Sequence, residues 1–371
     1  MTPSGPTARD RVLLLVQHAG NRRWLGDWLT NRYEVLQADG PAALDETFDL
    51  CIVDALALDR LLERVTACRQ REHPVFLPVL LVTSRQGLGM TVPILWHNVD
   101  EVIVSPIEPV ELQARVEMLL RARHLSRHNV ALRRQAEGDL AAARLVQTAL
   151  LPGTHLDLPG FELAARCLPA REVGGDFYDW EQPAPGVLTL TLADVMGKGM
   201  GAALLTATVR STLRALAILN PPGTVLELAH SALEPDFDRS GSFVTLVHAR
   251  LDLASRRLTY ADAGHGYGFV RRASGKLDTL SVRGLPLGVF PNQPYEEGQM
   301  GLDPGDVLVL YSDGLAEFRR DAILTPEALA ERVARAATAD DMVERLTVRP
   351  RPGEPPLDDL TVVVLRCRKE S

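Results

Sequence analysis

Two hydrophobic patterns divide this sequence, and they predict two different kinds of domain. Residues 10–122 alternate short, continuous apolar runs with helical patterns, which is typical of a parallel sheet covered by helices on both faces. From residue 161 onward the apolar runs alternate with polar residues and are separated by glycine- and proline-rich joints, which indicates antiparallel strands. A chain of 371 residues is long enough for both.

The first pattern predicts an α/β domain. The predicted strands are residues 12–16, 33–36, 50–53, 79–82 and 101–104. The predicted helices are residues 24–31, 42–47, 58–70 and 109–121. Strands and helices that alternate in this way build βαβ units around one parallel sheet.

The second pattern predicts an α+β sandwich, in which two antiparallel sheets are flanked by helices. The predicted strands are residues 187–193, 242–252, 257–261, 268–272, 306–312 and 360–366. The predicted helices are residues 202–219, 224–237 and 326–346. Many short strands with such turns are typical of packed antiparallel sheets.

A helical segment lies between the two patterns. Its apolar residues recur at spacings of seven, four, four, three, three and four, which places them on one helical face. These residues are Leu125, Leu132, Ala136, Leu140, Ala143, Val146 and Leu150. The segment is either a solvated connector or a two-helix dimer contact that carries a signal, and we favour the dimer. The expected organisation is a domain at 10–122, a helical linker at 123–151 and a second domain at 152–371.

The composition argues against some classes of protein. Lysine plus arginine number 40 and aspartate plus glutamate 48, so the net charge is −8, which argues against binding to nucleic acid. The four cysteines form no CxxC pair and are typical of reduced thiols in a cytosolic protein. No segment approaches the ~18 continuous apolar residues of a membrane span. We therefore expect a cytoplasmic protein with no nucleic-acid or membrane partner.

Acidic residues gather at the ends of strands in the second pattern, at residues 174–179, 193–195, 312–314 and 358–361. Each group alone is typical of a turn or a solvated strand end. If the strands share one sandwich, however, several carboxylates can meet at one end of it. Carboxylates that meet in a partly dry site need cations to neutralise them, and Mg²⁺ or Mn²⁺ with oxygen ligands is suited to this. The second domain is therefore a candidate metal enzyme.

Residues 140–371 resemble the SpoIIE/RsbU-type branch of the metal-dependent (PPM, type 2C) protein serine/threonine phosphatases. The matching segments occur in the family's order. They are ARLVQTALLP (143–152), VGGDFYD (173–179), ADVMGKGMGAAL (193–204), SFVTL (242–246), AGH (263–265), GLPLG (284–288), LYSDGLAEF (310–318) and DDLTVVV (358–364). The resemblance implies two antiparallel sheets between helix pairs, and a site for two Mn²⁺ or Mg²⁺ ions.

The resemblance also implies roles for single residues by their position in these motifs. Asp194 would bridge the two ions, and the carbonyl of Val195 would bind one of them. Asp176 would lie close to the ions, directly or through water. Asp176 and Asp194 are therefore the expected catalytic residues.

The remaining motif residues complete the expected site. Asp313 and Asp358 would hold the other ion, and Asp359 is an alternative to Asp358 because the sequence does not separate the pair. Asp179 is expected to be structural. His265 is a candidate general acid, but a loop histidine near the core is the safer interpretation.

The resemblance implies a substrate class as well. We expect a phosphatase that acts on phosphoserine or phosphothreonine of a regulatory protein, such as a phosphorylated anti-sigma-factor antagonist with a STAS domain. We also expect the N-terminal domain to regulate it, in a homodimer formed through the linker helix. The alternative is a pseudophosphatase adaptor that binds a sigma factor or its regulator without turnover.

Residues 10–122 resemble the receiver domain of two-component response regulators, a flavodoxin-like α/β fold. Asp54 stands at the position of the phosphorylated aspartate, but Gln17 and His18 replace the acidic pair, and Ser105 replaces the lysine. The acidic pair holds the Mg²⁺ that neutralises the incoming phosphoryl group. We therefore expect a receiver-like domain, or pseudo-receiver, and favour Asp54 as a polar strand-end residue over Asp54 as a phospho-acceptor.

Overall fold

The structure is a computed structural model that describes residues 9–37, 41–85, 98–316, 325–347 and 358–369. The chain divides into two compact units, residues 1–137 and 138–371. The last two residues of the motif at 310–318 lie outside the described residues. Within the described ranges, no helix has both the length and the apolar character needed to cross a membrane.

The first unit is built on a five-stranded parallel sheet. Its strands are β1 (Arg11–Leu15), β2 (Glu34–Gln37), β3 (Leu50–Asp54), β4 (Val79–Ser84) and β5 (Glu101–Ser105). They lie in the order β2-β1-β3-β4-β5, which is the order of flavodoxin-like doubly wound sheets. All five predicted strands are present, with their ends shifted by at most two residues.

Helices cover both faces of this sheet. They are α1 (Ala19–Thr30), a 3₁₀ helix (Pro41–Asp45), α2 (Ala55–Glu72) and α3 (Pro109–Leu150). Alternate side chains of β1 point to opposite faces, so Leu13 packs in the core beneath α2 while Leu14 packs in the core beneath α1 and α3. Helix α1 begins five residues before its predicted start, because the side chain of His18 accepts a hydrogen bond from the Asn21 amide and caps it.

The predicted helix at 109–121 and the predicted linker form one continuous helix, α3, of 42 residues. Its first turns bury apolar side chains against the sheet, and the guanidinium of the buried Arg123 donates to the carbonyls of Phe48 and Phe76. Beyond Arg123 four large apolar side chains of this helix are at least half exposed, while Val130, Leu140 and Leu150 are half-buried. The four exposed side chains are Leu125, Leu132, Leu145 and Val146.

The second unit contains two antiparallel sheets. Its strands are β6 (His155–Leu158), β7 (Phe161–Leu168), β8 (Asp176–Ala184), β9 (Val187–Val195), β10 (Val244–Asp252), β11 (Arg257–Ala263), β12 (Gly268–Arg271), β13 (Leu277–Thr279), β14 (Gly298–Gly301), β15 (Val307–Tyr311) and β16 (Leu360–Cys367). One sheet has the order β14-β11-β10-β9-β8, and the other has the order β13-β12-β15-β16-β7-β6. The six predicted strands are all present.

Helices lie outside both sheets, which gives four layers. The helices are α4 (Met200–Ala217), α5 (Pro222–Ser240), α6 (Asp313–Ala316), α7 (Pro326–Ala334) and α8 (Ala339–Thr347). One apolar core fills the space between the sheets, a second lies under α4 and α5, and a third lies under α7 and α8. The single helix predicted at 326–346 is in fact two helices, because the hydroxyl of Thr338 accepts from the Asp341 amide and starts α8 anew.

Candidate metal centre

The β8–β9 hairpin places two aspartates opposite each other. Asp176 is the first residue of β8 and Asp194 is the last but one of β9, and the antiparallel register pairs them directly. Directly opposed residues have Cβ atoms about 4.5–5.5 Å apart and share one face of the sheet. The register of the hairpin therefore brings two carboxylates together.

Asp176 is almost fully buried, and one of its oxygens has no partner. The residue is 4% exposed, and its Oδ2 makes no hydrogen bond to any described residue. Burial and then the charge of Asp194 raise the pKa of Asp176 well above its ordinary value, while the hydroxyls of Ser312 and Thr361 act to lower it. A buried acceptor without a donor costs free energy, so this oxygen is suited to a bound cation.

Asp194 lies within reach of the other acidic residues. The pKa of its carboxyl is raised from 3.8 to about 6. Burial is the largest cause, and the charges of three further aspartates add to it. These three are Asp313, Asp358 and Asp359. Carboxylates from strand ends far apart in the sequence therefore act on the charge of Asp194.

Asp313 reaches the group because the end of β15 is fastened to the start of β16. Asp313 follows Ser312, whose amide donates to the carbonyl of Thr361 at 2.9 Å. The Ser312 hydroxyl donates to the carbonyl of Asp359 at 3.2 Å and accepts from the Thr361 amide at 2.9 Å. These three bonds hold Asp313 beside the aspartate pair that precedes β16.

The two members of that pair have different surroundings. The side chain of Asp358 is about one-third exposed (34%), and its Oδ2 lies 2.9 Å from Nζ of Lys198. Asp359 is 8% exposed, and its carboxylate accepts the amides of Ala170 and Gly175, each at 2.7 Å. Both oxygens of Asp359 are therefore engaged by backbone donors, and Asp358 is the better candidate for a metal ligand.

Glycines allow the loop after β9 to turn tightly beside the carboxylates. A Cβ atom on Gly175 would lie 2.4 Å from the carbonyl oxygen of Val195. Gly197 and Gly199 have φ angles of 109° and 84°, which residues with a side chain rarely adopt. The carbonyl of Val195 therefore lies at the rim of the carboxylate group.

The donor set fits hard divalent cations. It consists of oxygen atoms, from the carboxylates of Asp176, Asp194, Asp313 and Asp358 and the carbonyl of Val195, and oxygen is the donor that Mg²⁺ and Mn²⁺ prefer. A cation would satisfy the unpartnered oxygen of Asp176 and relieve the repulsion at Asp194. Among the described residues, no group of three or more His, Cys, Asp or Glu side chains is placed so that it could hold a metal ion. The fit therefore rests on donor chemistry and electrostatics.

Asp179 and His265 have structural surroundings. The carboxylate of Asp179 accepts from Arg214 Nη2 at 2.7 Å and lies 3.3 Å from Arg210, so it ties β8 to α4. His265 is 5% exposed, and its Nε2 lies 2.9 Å from the carbonyl of Tyr311 at the end of β15. Burial lowers the pKa of His265 to about 4, so the imidazole is neutral at pH 7 and holds the strand end next to Asp313.

Asp54 lies in the first unit with both carboxylate oxygens bound by backbone amides. Oδ2 accepts from Gln17 at 2.6 Å and from His18 at 3.1 Å, and Oδ1 accepts from Ala57 at 2.9 Å. The last of these bonds caps α2. Gln17 and His18, which stand where receiver domains have an acidic pair, thus supply amide donors that hold Asp54 in place.

The sequence analysis missed four residues that contribute to the acidic group. Lys198 pairs with Asp358, the hydroxyls of Ser312 and Thr361 face Asp176, and Gln147 of α3 bonds to Gly174. The signal for Ser312 was present, since it is a polar residue at the end of an entirely apolar strand. The other contacts depend on tertiary packing and have no local signature.

Comparison with known proteins identifies this region. Residues 184–368 match the family model described as "Stage II sporulation protein E (SpoIIE)". The chain carries a SpoIIE-family domain. Asp194, Asp313 and Asp358 lie within the matched residues, and Asp176 lies just before them.

The SpoIIE-family domain is similar to curated proteins of two bacteria. It is 28% identical over 192 residues to "Phosphoserine phosphatase RsbU" of Bacillus subtilis, which covers 51% of this chain and 57% of that protein. It is also 24% identical over 262 residues to "Protein IcfG" of Synechocystis. That alignment covers 61% of this chain and 41% of Protein IcfG. The chain thus spans less than two thirds of the length of these relatives.

A solved structure shares the fold of the SpoIIE-family domain. The "SiaA-PP2C domain of Pseudomonas aeruginosa" superposes with a TM-score of 0.53 at 19% identity, over 64% of this chain and 98% of that one. The second unit therefore has the fold of a PP2C domain, with two sheets between helix pairs.

Proposed function

We propose that the SpoIIE-family domain is a metal-dependent protein serine/threonine phosphatase that holds two Mn²⁺ or Mg²⁺ ions. The observation that carries the proposal is the meeting of carboxylates from separate strand ends, which helps to raise the pKa of Asp194 to about 6. Groups with strongly shifted pKa values cluster at functional sites. The similarity to a protein named phosphoserine phosphatase supports the same reaction.

In this proposal each oxygen donor has a role. Asp194 would bind both ions, and the carbonyl of Val195 would bind one of them. Asp313 and Asp358 would hold the other, and Asp176 would lie close to the ions, directly or through water. When bound, the ions supply a water molecule activated for attack on phosphorus and neutralise charge on the phosphoryl oxygens.

The other residues near the site support direct attack by water rather than a phosphoenzyme. The Sγ atom of Cys167 lies 3.8 Å from the carbonyl of Asp176, but burial raises the pKa of this thiol to about 12, so it is not a nucleophile at pH 7. His265 is neutral and its Nε2 is engaged by the carbonyl of Tyr311. Lys198 is half-exposed at the rim beside Asp358, where its ammonium can approach a phosphoryl oxygen.

Hydrolysis of p-nitrophenyl phosphate by the full-length protein tests the reaction. The protein is stripped with EDTA and assayed with Mn²⁺ or Mg²⁺, and we expect turnover only with the ion. Asp194→Asn is expected to lower kcat by about 10³-fold, which corresponds to about 4 kcal/mol. Asp306→Asn, a buried aspartate at the other end of β15, is the control. Absence of activity with every divalent ion would favour the adaptor that binds a regulator without turnover.

We infer that the substrate is a phosphorylated anti-sigma-factor antagonist with a STAS domain. The support is the resemblance of the motifs to the SpoIIE/RsbU-type branch. Incubation of the protein with the phosphorylated STAS proteins encoded in the same genome, followed by Phos-tag electrophoresis, measures the reaction. Cleavage of other phosphoproteins with no effect on any STAS protein would refute this substrate class.

We further propose that the first unit is a receiver-like domain that regulates the phosphatase. Its strand order and its three amide bonds to Asp54 support a pseudo-receiver that is not phosphorylated. Deletion of residues 1–120 is expected to change turnover by more than it changes metal affinity. Equal kcat with and without these residues would contradict regulation by this unit.

We propose that α3 forms a homodimer. Beyond residue 123 it exposes Leu125, Leu132 and Val146, which share the predicted apolar face, and a helix with an exposed apolar stripe is stabilised by a partner helix. Sedimentation equilibrium of the full chain is expected to give a dimer, and Leu125→Glu with Leu132→Glu is expected to give a monomer. A monomeric wild-type protein at micromolar concentration would contradict the proposal.

A further inference from the structure

Segment 170–176 connects β7 to the hairpin that carries the two central aspartates, and it ends at Asp176. It has no regular secondary structure before Asp176. A loop of this kind has no ladder to fix its path, so side chains must fix it. Of the described side chains, three bond to the backbone of residues 170–175. The Thr206 hydroxyl donates to the Gly175 carbonyl at 3.1 Å, and Asp359 and Gln147 make the other bonds.

The carboxylate of Asp359 holds the segment at both ends. Oδ1 accepts the Ala170 amide at 2.7 Å, and Oδ2 accepts the Gly175 amide at 2.7 Å and the Asp176 amide at 3.4 Å. A Cβ atom on Gly174 would lie 2.3 Å from Oδ2 of Asp359. The glycine is therefore needed for the close approach of this carboxylate.

The main chain of Asp359 contacts the segment that carries Asp313. Its carbonyl accepts the hydroxyl of Ser312 at 3.2 Å. A Cβ atom on Gly314 would lie only 1.9 Å from that carbonyl oxygen. Asp359 thus contacts the residues next to Asp313 through its backbone and the residues next to Asp176 through its side chain.

Gln147 of α3 holds the segment from the other side. Its Nε2 donates to the carbonyl of Gly174 at 2.7 Å, and its Oε1 accepts the Gly174 amide at 3.2 Å. A primary amide carries a donor and an acceptor on one planar group, so this single side chain satisfies both the N–H and the C=O of Gly174. Gly174 is therefore held between Gln147 and Asp359.

We propose that Asp359 and Gln147 are positioning residues, which hold segment 170–176 so that the carboxylate of Asp176 faces that of Asp194. Asp359 contributes no ligand to the ions in this assignment. The proposal rests on the function proposed above, because it assigns these residues to the same site. Groups that orient metal ligands without touching the metal change affinity about 10–100-fold when they are mutated.

Three variants separate these roles in the full-length protein. Asp359→Asn keeps the size of the side chain but sets an amide donor against a backbone donor. Gln147→Glu keeps the size of the side chain but replaces the amide donor with a carboxylate oxygen, which repels the Gly174 carbonyl. Gly174→Ala pushes a methyl group into Asp359. The matched control is Asp306→Asn, since Asp306 is 2% exposed and its carboxylate accepts the Ala273 and Asp303 amides at the far end of β15.

Hydrogen–deuterium exchange measures the positioning without metal or substrate. Exchange of segment 170–176 is expected to rise by at least about tenfold in Asp359→Asn and by less in Gln147→Glu, and to stay unchanged in Asp306→Asn. Gly174→Ala is expected to raise it in the wild type but to add nothing in an Asp359→Ala background. Two results would overturn the proposal. One is unchanged exchange in Asp359→Asn, and the other is an effect of Gly174→Ala that is as large in the Asp359→Ala background as in the wild type.

Calorimetric titration with Mn²⁺ separates a positioning residue from a ligand. We expect Kd to rise about tenfold in Asp359→Asn and by far more in Asp358→Asn. Equal losses in the two variants would make Asp359 a ligand and overturn its assignment. If the wild type binds Mn²⁺ but hydrolyses no phosphoester, the proposed function fails while the exchange and titration results still decide the roles of Asp359 and Gln147.

Discussion

Asp54 in the first unit and Asp176 in the second are both buried aspartates at strand ends, yet their surroundings are opposite. Each oxygen of Asp54 accepts at least one backbone amide. Asp176 has an oxygen with no donor among the described residues, and a second carboxylate stands directly across the hairpin. The carboxylate of Asp54 is thus engaged by donors, whereas that of Asp176 is buried opposite a like charge, which raises its pKa.

This difference separates a structural aspartate from a functional one. A carboxylate whose two oxygens both accept backbone amides is held in place by the fold, and removing it costs stability. A carboxylate that lacks a donor and is repelled by its neighbours costs stability until a cation binds. Residue type and position at a strand end are the same in both, so only the partners distinguish the two roles.

The largest expected effect is a stabilisation by metal that is confined to the second unit. At a Mn²⁺ concentration 100 times Kd, binding adds about 2.7 kcal/mol to the free energy of unfolding. Thermal unfolding of the wild-type protein with and without Mn²⁺ measures it. We expect Asp313→Asn to lose most of this gain and Asp54→Asn to keep it. An equal gain in Asp313→Asn would show that the ion binds elsewhere.

The second effect concerns the first unit. Asp54→Ala removes three amide bonds, one of which caps α2, and is expected to lower the free energy of unfolding of this unit by about 1–2 kcal/mol. Asp54→Asn, which keeps one amide-accepting oxygen, is expected to cost less. Urea unfolding followed by the fluorescence of Trp24 and Trp28 measures the loss.

The same variants test phosphorylation of Asp54. Incubation with acetyl phosphate and Mg²⁺, followed by intact-mass measurement, is expected to leave the wild-type protein unmodified. A phosphorylated species that disappears in Asp54→Asn would contradict the structural role, and a stable Asp54→Ala protein would contradict it as well.

Strands β1, β3 and β4 of the first unit were predictable because they are nearly continuous apolar runs and are buried almost throughout. The second unit was less predictable at its edges. Strands β6, β13 and β14 have only three or four residues each, which is too short for a pattern. Strand β8 begins DFYDW with all five side chains buried, so it shows no alternation, and its aspartates are buried through contacts with distant residues.

The candidate site was also only partly predictable, because some of its contacts join residues that are far apart in the sequence. The motifs identified Asp176, Asp194 and Asp313 as candidates because each lies at a strand end in a recognisable order, and the described structure has all three near one another. The choice between Asp358 and Asp359 was not available from the sequence. It depends on the amides of Ala170 and Gly175, which lie more than 180 residues away in the chain, and no local pattern reports such a contact.

The smallest expected effect is a pH dependence that Asp194 confers on the metal-free protein. Its folded pKa, about 6, exceeds the ordinary 3.8, so between these values the folded state binds more protons than the unfolded state. The contribution of this group to the free energy of unfolding therefore falls as pH rises through that window. The loss of stability caused by ionising Asp194 in the folded state reaches its full size above about pH 6. Asp194→Asn removes this loss.

In EDTA, Asp194→Asn is therefore expected to be more stable than the wild type at pH 7.5, by about 1 kcal/mol after allowance for partial solvent screening. The advantage is expected to shrink towards zero at pH 4.5. Buried His248 and His265, whose pKa values are lowered to about 4, impose the opposite slope on both proteins and cancel in the difference. Urea unfolding at the two pH values measures it. If the two proteins differed in free energy of unfolding by the same amount at both pH values, Asp194 would not be repelled by its neighbours. The contrast with Asp54 would then lose its electrostatic basis.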